Sequence, residues 1–197
     1  MTQEEKVITL LNKGKGYLAA KIAREKGINN VTLQRMAKRG QIDRVARGLY
    51  VGADVIPDQF YVTQYRCPLA IFSHETALFL HGFSDRNPLQ LMMTIPSGWN
   101  TKLIFNDDVM LFYSCASVFN TGEAEVETPY GLTVNTYDIE RTICDCLRNI
   151  NKLDKDLVLT ALKFYMKNPG NDKSKLLKYA TIFKIRDVVF KYMEVLS

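Results

Sequence analysis

Residues 29–52 read NNVTLQRMAKRGQIDRVARGLYVG, and the character of the whole chain turns on them. Five Arg or Lys residues fall in this stretch, split between a helix-periodic half and a half with the alternation and glycine of a β-hairpin. At 100° per residue, Leu33, Met36 and Ala37 share one side of a helix predicted over 31–39, with Asn30 as its N-cap and Gly40 as its end. Val31, Arg35 and Lys38 face the other way, flanked by Thr32, Gln34 and Arg39. Such an outer side suits a DNA major groove: Arg donates two bonds to guanine, Gln reads adenine, and Lys and Arg reach phosphates. Thr32, Gln34 and Arg35, nearest the helix start, are the base-reading candidates, and Lys38 and Arg39 complete the set. Taken alone, the same helix also reads as a solvated basic face.

What surrounds the helix favours the first reading. Residues 1–13 carry an apolar stripe at Val7, Ile8, Leu10 and Leu11, broken by Lys13-Gly14-Lys15-Gly16. A second helix is predicted over 17–26, with Leu18, Ile22 and Ala23 on one face and Gly27 as its cap. After the third helix, Ile42, Arg44, Gly48 and Tyr50 read as two short strands. Arg44 and Arg47 flank their turn, a basic wing suited to the phosphate backbone or the minor groove. Three helices and a wing, in that order, predict a winged helix-turn-helix.

Charge follows the same division. Residues 1–52 hold 11 Lys and Arg against 4 Asp and Glu, a net +7. Residues 53–149 hold 5 against 12, a net −7, and residues 150–197 hold 10 against 5, a net +5. Basic ends around an acidic middle make nucleic acid the expected partner of the ends. Lys163, Lys167 and Lys173, with Lys175, Lys178, Lys184, Arg186 and Lys191, supply the C-terminal surplus. Two readings of them stand: a soluble, helix-favouring surface, or added contacts that lengthen the footprint on nucleic acid.

The composition and sign of charge change at Asp54–Asp58, so a DNA-binding domain over 1–55 and a second domain over 56–197 are expected. In the second, 60–66 and 74–81 read as helices, the latter with Ser73 as N-cap, Ala77, Leu78 and His81 inward and Gly82 past its end. Between 89 and 136 the period moves towards two, predicting strands at 89–95, 102–105, 109–113, 123–127 and 132–136. From 138 to 197 the chain is helical again, beginning with the Asp138 cap of DIERTICDCLRN and broken at Asn168-Pro169-Gly170. The expected fold class is α+β: a winged helix-turn-helix, then a mixed domain with strands followed by helices.

With 47% hydrophobic and 24% charged residues the composition is that of a globular protein. No apolar run approaches the roughly 20 residues that span a bilayer, and the acids of the N-terminal segment are unlike a secretory leader. A cytoplasmic protein without membrane association is expected. Cys67, Cys115, Cys144 and Cys146 form no Cys-x-x-Cys pair and read as reduced and mostly buried, so no metal or other cofactor is anticipated. An enzyme is not expected either. Ser73, His74 and Glu75 are sequence neighbours whose side chains should diverge, and Asp107-Asp108 lacks further acidic ligands.

The RGQIDRVARGLYVG tail of the first domain, the segment AIFSHETALFLHGF and TPYGLTVNTYDIERTICDCL, in that order, resemble the AbiEi family of bacterial type IV antitoxins. The resemblance runs from about residue 5 to beyond 190. It implies a transcriptional autorepressor that binds inverted repeats in its own promoter. It also implies an antitoxin that neutralises a nucleotidyltransferase-class toxin in abortive infection of phage, without a stable complex. Arg44 to Tyr50 matches the wing, and Ser73, His74, Arg141, Thr142 and Asp145 match recurrent positions of the antitoxin domain. Arg141 and Asp145, four apart, can pair along a helix for a few tenths of a kcal/mol; a structural and an antitoxic role both stand for them. Absence of a heptad pattern favours a monomer in solution that pairs on DNA. The alternatives are an interaction protein docking its toxin through the acidic middle, and a plain repressor.

Overall fold

In the computed structural model, which describes residues 1–99 and 109–196, the chain divides into two compact units, Met1–Pro68 and Leu69–Ser197. The expected strand at 102–105 and the turn holding Asp107-Asp108 lie outside the described residues. The first unit runs α1 (Gln3–Lys13), β1 (Tyr17–Ala19), α2 (Ala20–Glu25), α3 (Asn30–Lys38), β2 (Ile42–Ala46), β3 (Leu49–Gly52) and α4 (Gln59–Arg66). Its start is fixed locally. Thr2 Oγ1 accepts from Glu5 N at 3.2 Å while Glu5 Oε2 accepts from Thr2 N at 2.9 Å. This reciprocal capping box satisfies two donors that would otherwise be orphaned at the head of α1.

Residues 17–19 depart from expectation: they form a strand, not the start of a helix. β3 pairs with β2 on one side and would otherwise present an open edge of backbone donors and acceptors. β1 fills that edge, placing Tyr17 opposite Val51, Leu18 opposite Tyr50 and Ala19 opposite Leu49. Tyr17 and Leu18 are then both buried, on opposite faces, whereas Ile22, expected inward beside Leu18, is exposed. Asn29, not Asn30, caps α3 by accepting from Val31 N at 3.0 Å. Leu33 and Met36 of that helix join Val7, Leu11, Leu18, Ala23, Ile28 and Ile42 in the core of the unit.

The unit also extends past the composition change at 54–58. Asp58 caps α4 by accepting from Phe60 N and Tyr61 N, and its own backbone N–H donates to Tyr17 Oη at 2.6 Å. Tyr65 Oη donates to Gly48 O at 3.0 Å. These bonds hold residues 56–66 to the unit whose charge pattern they do not share.

The second unit runs β4 (Ile71–Phe72), α5 (His74–Leu80), β5 (Leu91–Pro96), β6 (Val109–Ser114), α6 (Ala116–Phe119), β7 (Glu123–Glu127), β8 (Thr133–Tyr137) and α7 (Ile139–Arg148). A 3-10 turn at Ile150–Lys152 leads to α8 (Lys155–Lys167), α9 (Lys173–Ile182) and α10 (Arg186–Leu196). Among the described residues the strands form one mixed sheet in the order β6-β5-β4-β8-β7. β4, too short to display a period, lies at its centre, antiparallel to β5 and parallel to β8. α7 is enclosed, with the side chains of eight consecutive residues from Glu140 to Leu147 buried. Cys144 and Cys146 therefore both sit inside although they leave the helix in different directions. Around α7 gather Leu78, Leu162, Tyr165, Leu176, Ala180 and Val189 from the neighbouring helices. The protein is thus of mixed α+β class; in the second unit α7 to α10 follow the last strand, while α5 and α6 lie between strands, a departure from the expected order of strands and then helices.

Candidate functional site

The outward side of α3 carries Val31, Gln34, Arg35 and Lys38, all exposed. Among the described residues the side chains of Gln34, Arg35 and Lys38 have no hydrogen-bond or ion-pair partner in the protein. Thr32 and Arg39 differ. Thr32 Oγ1 donates to Gln3 Oε1 at 2.6 Å, and the same oxygen accepts from Asn29 N at 3.2 Å. Arg39 Nη1 lies 3.2 Å from Glu4 Oε1. Gln3 thus ties the first turn of α1 to the first turn of α3. Nothing in the sequence pattern flags it, because its role exists only once the two helices are adjacent.

The turn between β2 and β3 is Arg47-Gly48, with Gly48 at φ +80°, a backbone value for which glycine is suited. Arg47 is exposed on it and Arg44 on β2 just before it, and Arg44 Nε donates weakly to Ala46 O at 3.4 Å, where the ladder shifts register. The Tyr65 hydroxyl bond to Gly48 O braces the turn from behind. The unit as a whole holds 12 Lys and Arg against 6 Asp and Glu, a net +6. The arrangement presents an amide, a guanidinium and an ammonium on one helix face, with two further guanidinium groups on the β2–β3 hairpin. These are the donors that bind base edges and phosphates.

Ser73, His74, Arg141 and Asp145 come together in the second unit. Sequence neighbours though they are, Ser73 and His74 do not diverge. His74 adopts φ +52°, rare for a residue with a side chain, and this turns its ring back on Ser73 so that Nδ1 and Ser73 Oγ lie 2.8 Å apart. Its ring stacks on Phe112 with centroids 3.5 Å apart. Asn149 Nδ2 donates to Asp145 O at 3.1 Å and lies 3.2 Å from His74 Nε2. Nε2 is therefore the acceptor, and Nδ1–H donates to Ser73 Oγ, which also accepts from Thr94 Oγ1 at 2.8 Å. Burial, reinforced by Arg141, Arg148 and Lys152, lowers the imidazole pKa to about 3. The ring is neutral, and its lone pair faces Asn149 rather than the serine. Glu75 turns elsewhere, accepting from Asp154 N at 2.7 Å.

Arg141 is one of the most enclosed side chains of the protein. Its Nε donates to Asp145 Oδ2 at 2.8 Å, and Nη1 donates to Val118 O at 2.8 Å and Thr121 O at 2.9 Å. Its guanidinium carbon lies 4.2 Å from the Tyr137 ring centre and 4.1 Å from that of Phe183. Gly122 leaves room for it: a Cβ there would meet Arg141 Cβ at 2.7 Å, and φ is +78°. Burial pushes the Asp145 carboxyl upward, and Arg141 and Arg148 oppose that shift. Beside this pair, Lys175 Nζ reaches Asp138 Oδ2 at 3.0 Å and Glu140 Oε2 at 3.1 Å. Partial burial works against the Lys175 charge, yet the two carboxylates hold its pKa above the usual range. Asn149, Thr94 and Phe183 are parts of this polar core that the sequence did not single out, and Lys175, expected as a surface cation or an added nucleic-acid contact, is instead paired with two carboxylates of the same unit.

Of the other C-terminal cations, Lys163, Lys167, Lys173, Lys178 and Lys184 are exposed. Arg186 is exposed as well and lies over the Phe190 ring at 5.2 Å. His81, expected inward, is half-buried and donates Nε2–H to Tyr137 O at 2.7 Å. Cys67, Cys144 and Cys146 are buried free thiols and Cys115 is exposed. Among the described residues, no group of three His, Cys, Asp or Glu side chains is placed to hold a metal. No helix there is long and apolar enough to cross a membrane.

No family model matches the chain, and no curated protein matches it. Among solved structures it is similar to the crystal structure of the RV2827C protein from Mycobacterium tuberculosis. That match covers 100% of this chain and 80% of the other, with a TM-score of 0.50 and 11% sequence identity. At such identity the likeness concerns fold alone.

Proposed function

We propose that the first unit is a winged helix-turn-helix that binds double-stranded promoter DNA at inverted repeats, making the protein a transcriptional autorepressor. α3 is the recognition helix, with α2 as its supporting arm and the β2–β3 turn as its wing. The observation that carries this reading is the unpartnered set Gln34, Arg35 and Lys38 on one face of α3, together with the exposed Arg44 and Arg47 of the β2–β3 hairpin. Gln34 and Arg35 read bases, Lys38 and the wing arginines hold phosphates, and Thr32 and Arg39 act mainly by fixing α3 against α1. With the resemblance of its motifs to the AbiEi antitoxins, the second unit is proposed as the antitoxin domain. It neutralises a nucleotidyltransferase-class toxin without a stable complex, in the cytoplasm, and the chain is a monomer that pairs on DNA.

A gel-shift titration of the gene's own upstream fragment against a scrambled duplex of equal length tests the first part. Preference for the native fragment at moderate salt supports it; equal affinity overturns it. A second reading rests on β7, an edge strand with Glu123, Glu125 and Glu127 exposed at alternate positions. A strand edge with three carboxylates on one side suits a basic partner surface, and the toxin is the partner this reading names. Stable co-purification of toxin and antitoxin, lost on Glu125→Lys, favours docking; separate elution favours action without a complex.

A further inference from the structure

The polar core of the second unit opens into a cavity of about 260 Å³, bounded by β6, by His74 and Thr94, and by the end of α7 with the turn that follows it. We propose that this cavity is a binding site for a small phosphate dianion, either inorganic phosphate or a phosphate monoester. The first observation is an orphaned donor. Ser114 lines the cavity and is buried, and among the described residues its Oγ is the one buried side-chain polar atom without a hydrogen-bond partner. Native interiors seldom leave a hydroxyl in that condition unless a ligand or water completes it.

Charge is the second. Arg141, Arg148 and Lys152 line the cavity against a single carboxylate, Asp145. With His74 neutral, the walls carry a net charge near +2. Arg141 gives its Nε and Nη1 to Asp145 and two carbonyls. Arg148 offers only Nη1 to Asp145, at 3.4 Å, and with its side chain 41% exposed it keeps its remaining N–H groups for another acceptor. Lys152 is exposed and has no partner among the described residues. A hydroxyl on the buried side and two cations on the open side call for one ligand with several acceptor oxygens and two negative charges, and a phosphate dianion has both. The Asn149 Nδ2 group and both imidazole nitrogens already have partners within the protein, so they shape the wall without competing for the ligand.

The site is independent of the proposed DNA surface, and the test separates the two. The full chain is titrated calorimetrically with inorganic phosphate and with glycerol phosphate at pH 8, chloride holding the ionic strength constant. Saturable one-site binding is expected, weakened about tenfold by Ser114→Ala and by Lys152→Ala, and unchanged by Arg35→Ala with Lys38→Ala. If only glycerol phosphate saturates, the ligand is an organic monoester; if both do, the phosphate group alone suffices. Ser114→Ala should fold as well as the parent, because it removes an unsatisfied buried hydroxyl. Absence of saturation by either probe overturns the proposal. So does native-like binding in both cavity variants, or loss of binding in the α3 variant.

Discussion

Arg141 illustrates how far spacing informs and where it stops. Its distance from Asp145 along the sequence predicts a helical ion pair, and that pair forms. Spacing could not supply its environment: side chains 1% and 4% exposed, two aromatic rings against the guanidinium, and two backbone carbonyls as further acceptors. The relevant magnitude is then no longer a few tenths of a kcal/mol. Arg141→Ala should destabilise the protein by about 3–5 kcal/mol in urea unfolding, since it strands a buried carboxylate and two carbonyls. The double change Arg141→Met with Asp145→Leu should cost less than either single truncation; a larger cost would mean the charges contribute net stability. His74 carries a pH signature. With a pKa near 6.5 unfolded and about 3 folded, the unfolded chain binds the proton first. Stability present above pH 6.5 therefore falls as pH drops towards 3, by about 1.4 kcal/mol per unit well below 6.5. His74→Asn, which tolerates positive φ, should flatten the unfolding profile between pH 6 and 5. An unchanged profile would place the acid sensitivity on other groups. The Ser73–His74 contact was illegible in the sequence because it depends on one backbone angle.

At the scale of elements, α3 and the β2–β3 hairpin were legible because each has its own pattern: a 3.6-residue stripe through Leu33 and Met36, and glycine at a turn. β1 was not. Tyr17 and Leu18 are both apolar and suit a helix locally, and only an open edge 30 residues later makes them a strand. β4 escaped notice for the same reason, being two residues long and defined by neighbours on both sides. The separation of roles on α3 likewise belongs to tertiary structure, since the wheel treats Thr32 and Gln34 alike. Their substitutions should separate. Thr32→Ala should lower stability by about 0.5–1.5 kcal/mol through the lost bond to Gln3, with little change in sequence preference. Arg35→Ala should cost about 1–3 kcal/mol of specific binding and relax preference at one base pair, whereas Lys38→Ala weakens all duplexes alike. Competition gel shifts with single-position operator variants distinguish these outcomes. An Arg35→Ala protein with undiminished discrimination would remove α3 from base reading.

Across the whole molecule the charge division changes meaning once the two units are known. Cut at Pro68, the first unit is +6, while the second holds 14 Lys and Arg against 15 Asp and Glu, a net −1. The C-terminal lysines therefore do not form a second basic body; they offset the acids of the unit that contains them, and Lys175 does so by direct contact with Asp138 and Glu140. Truncating residues 150–197 cannot probe them cleanly, because Tyr165, Leu176, Ala180 and Val189 belong to the core around α7. Substitution on the surface can. Each phosphate neutralised contributes roughly 0.9 to the slope of log affinity against log salt. Changing Lys163, Lys167, Lys173 and Lys178 together to Gln should leave that slope for promoter binding within about one unit of the parent value. Arg44→Ala with Arg47→Ala should lower it by about two. A fall of three or more in the lysine variant would put the second unit on the DNA, and an unchanged slope in the wing variant would take the β2–β3 turn off it.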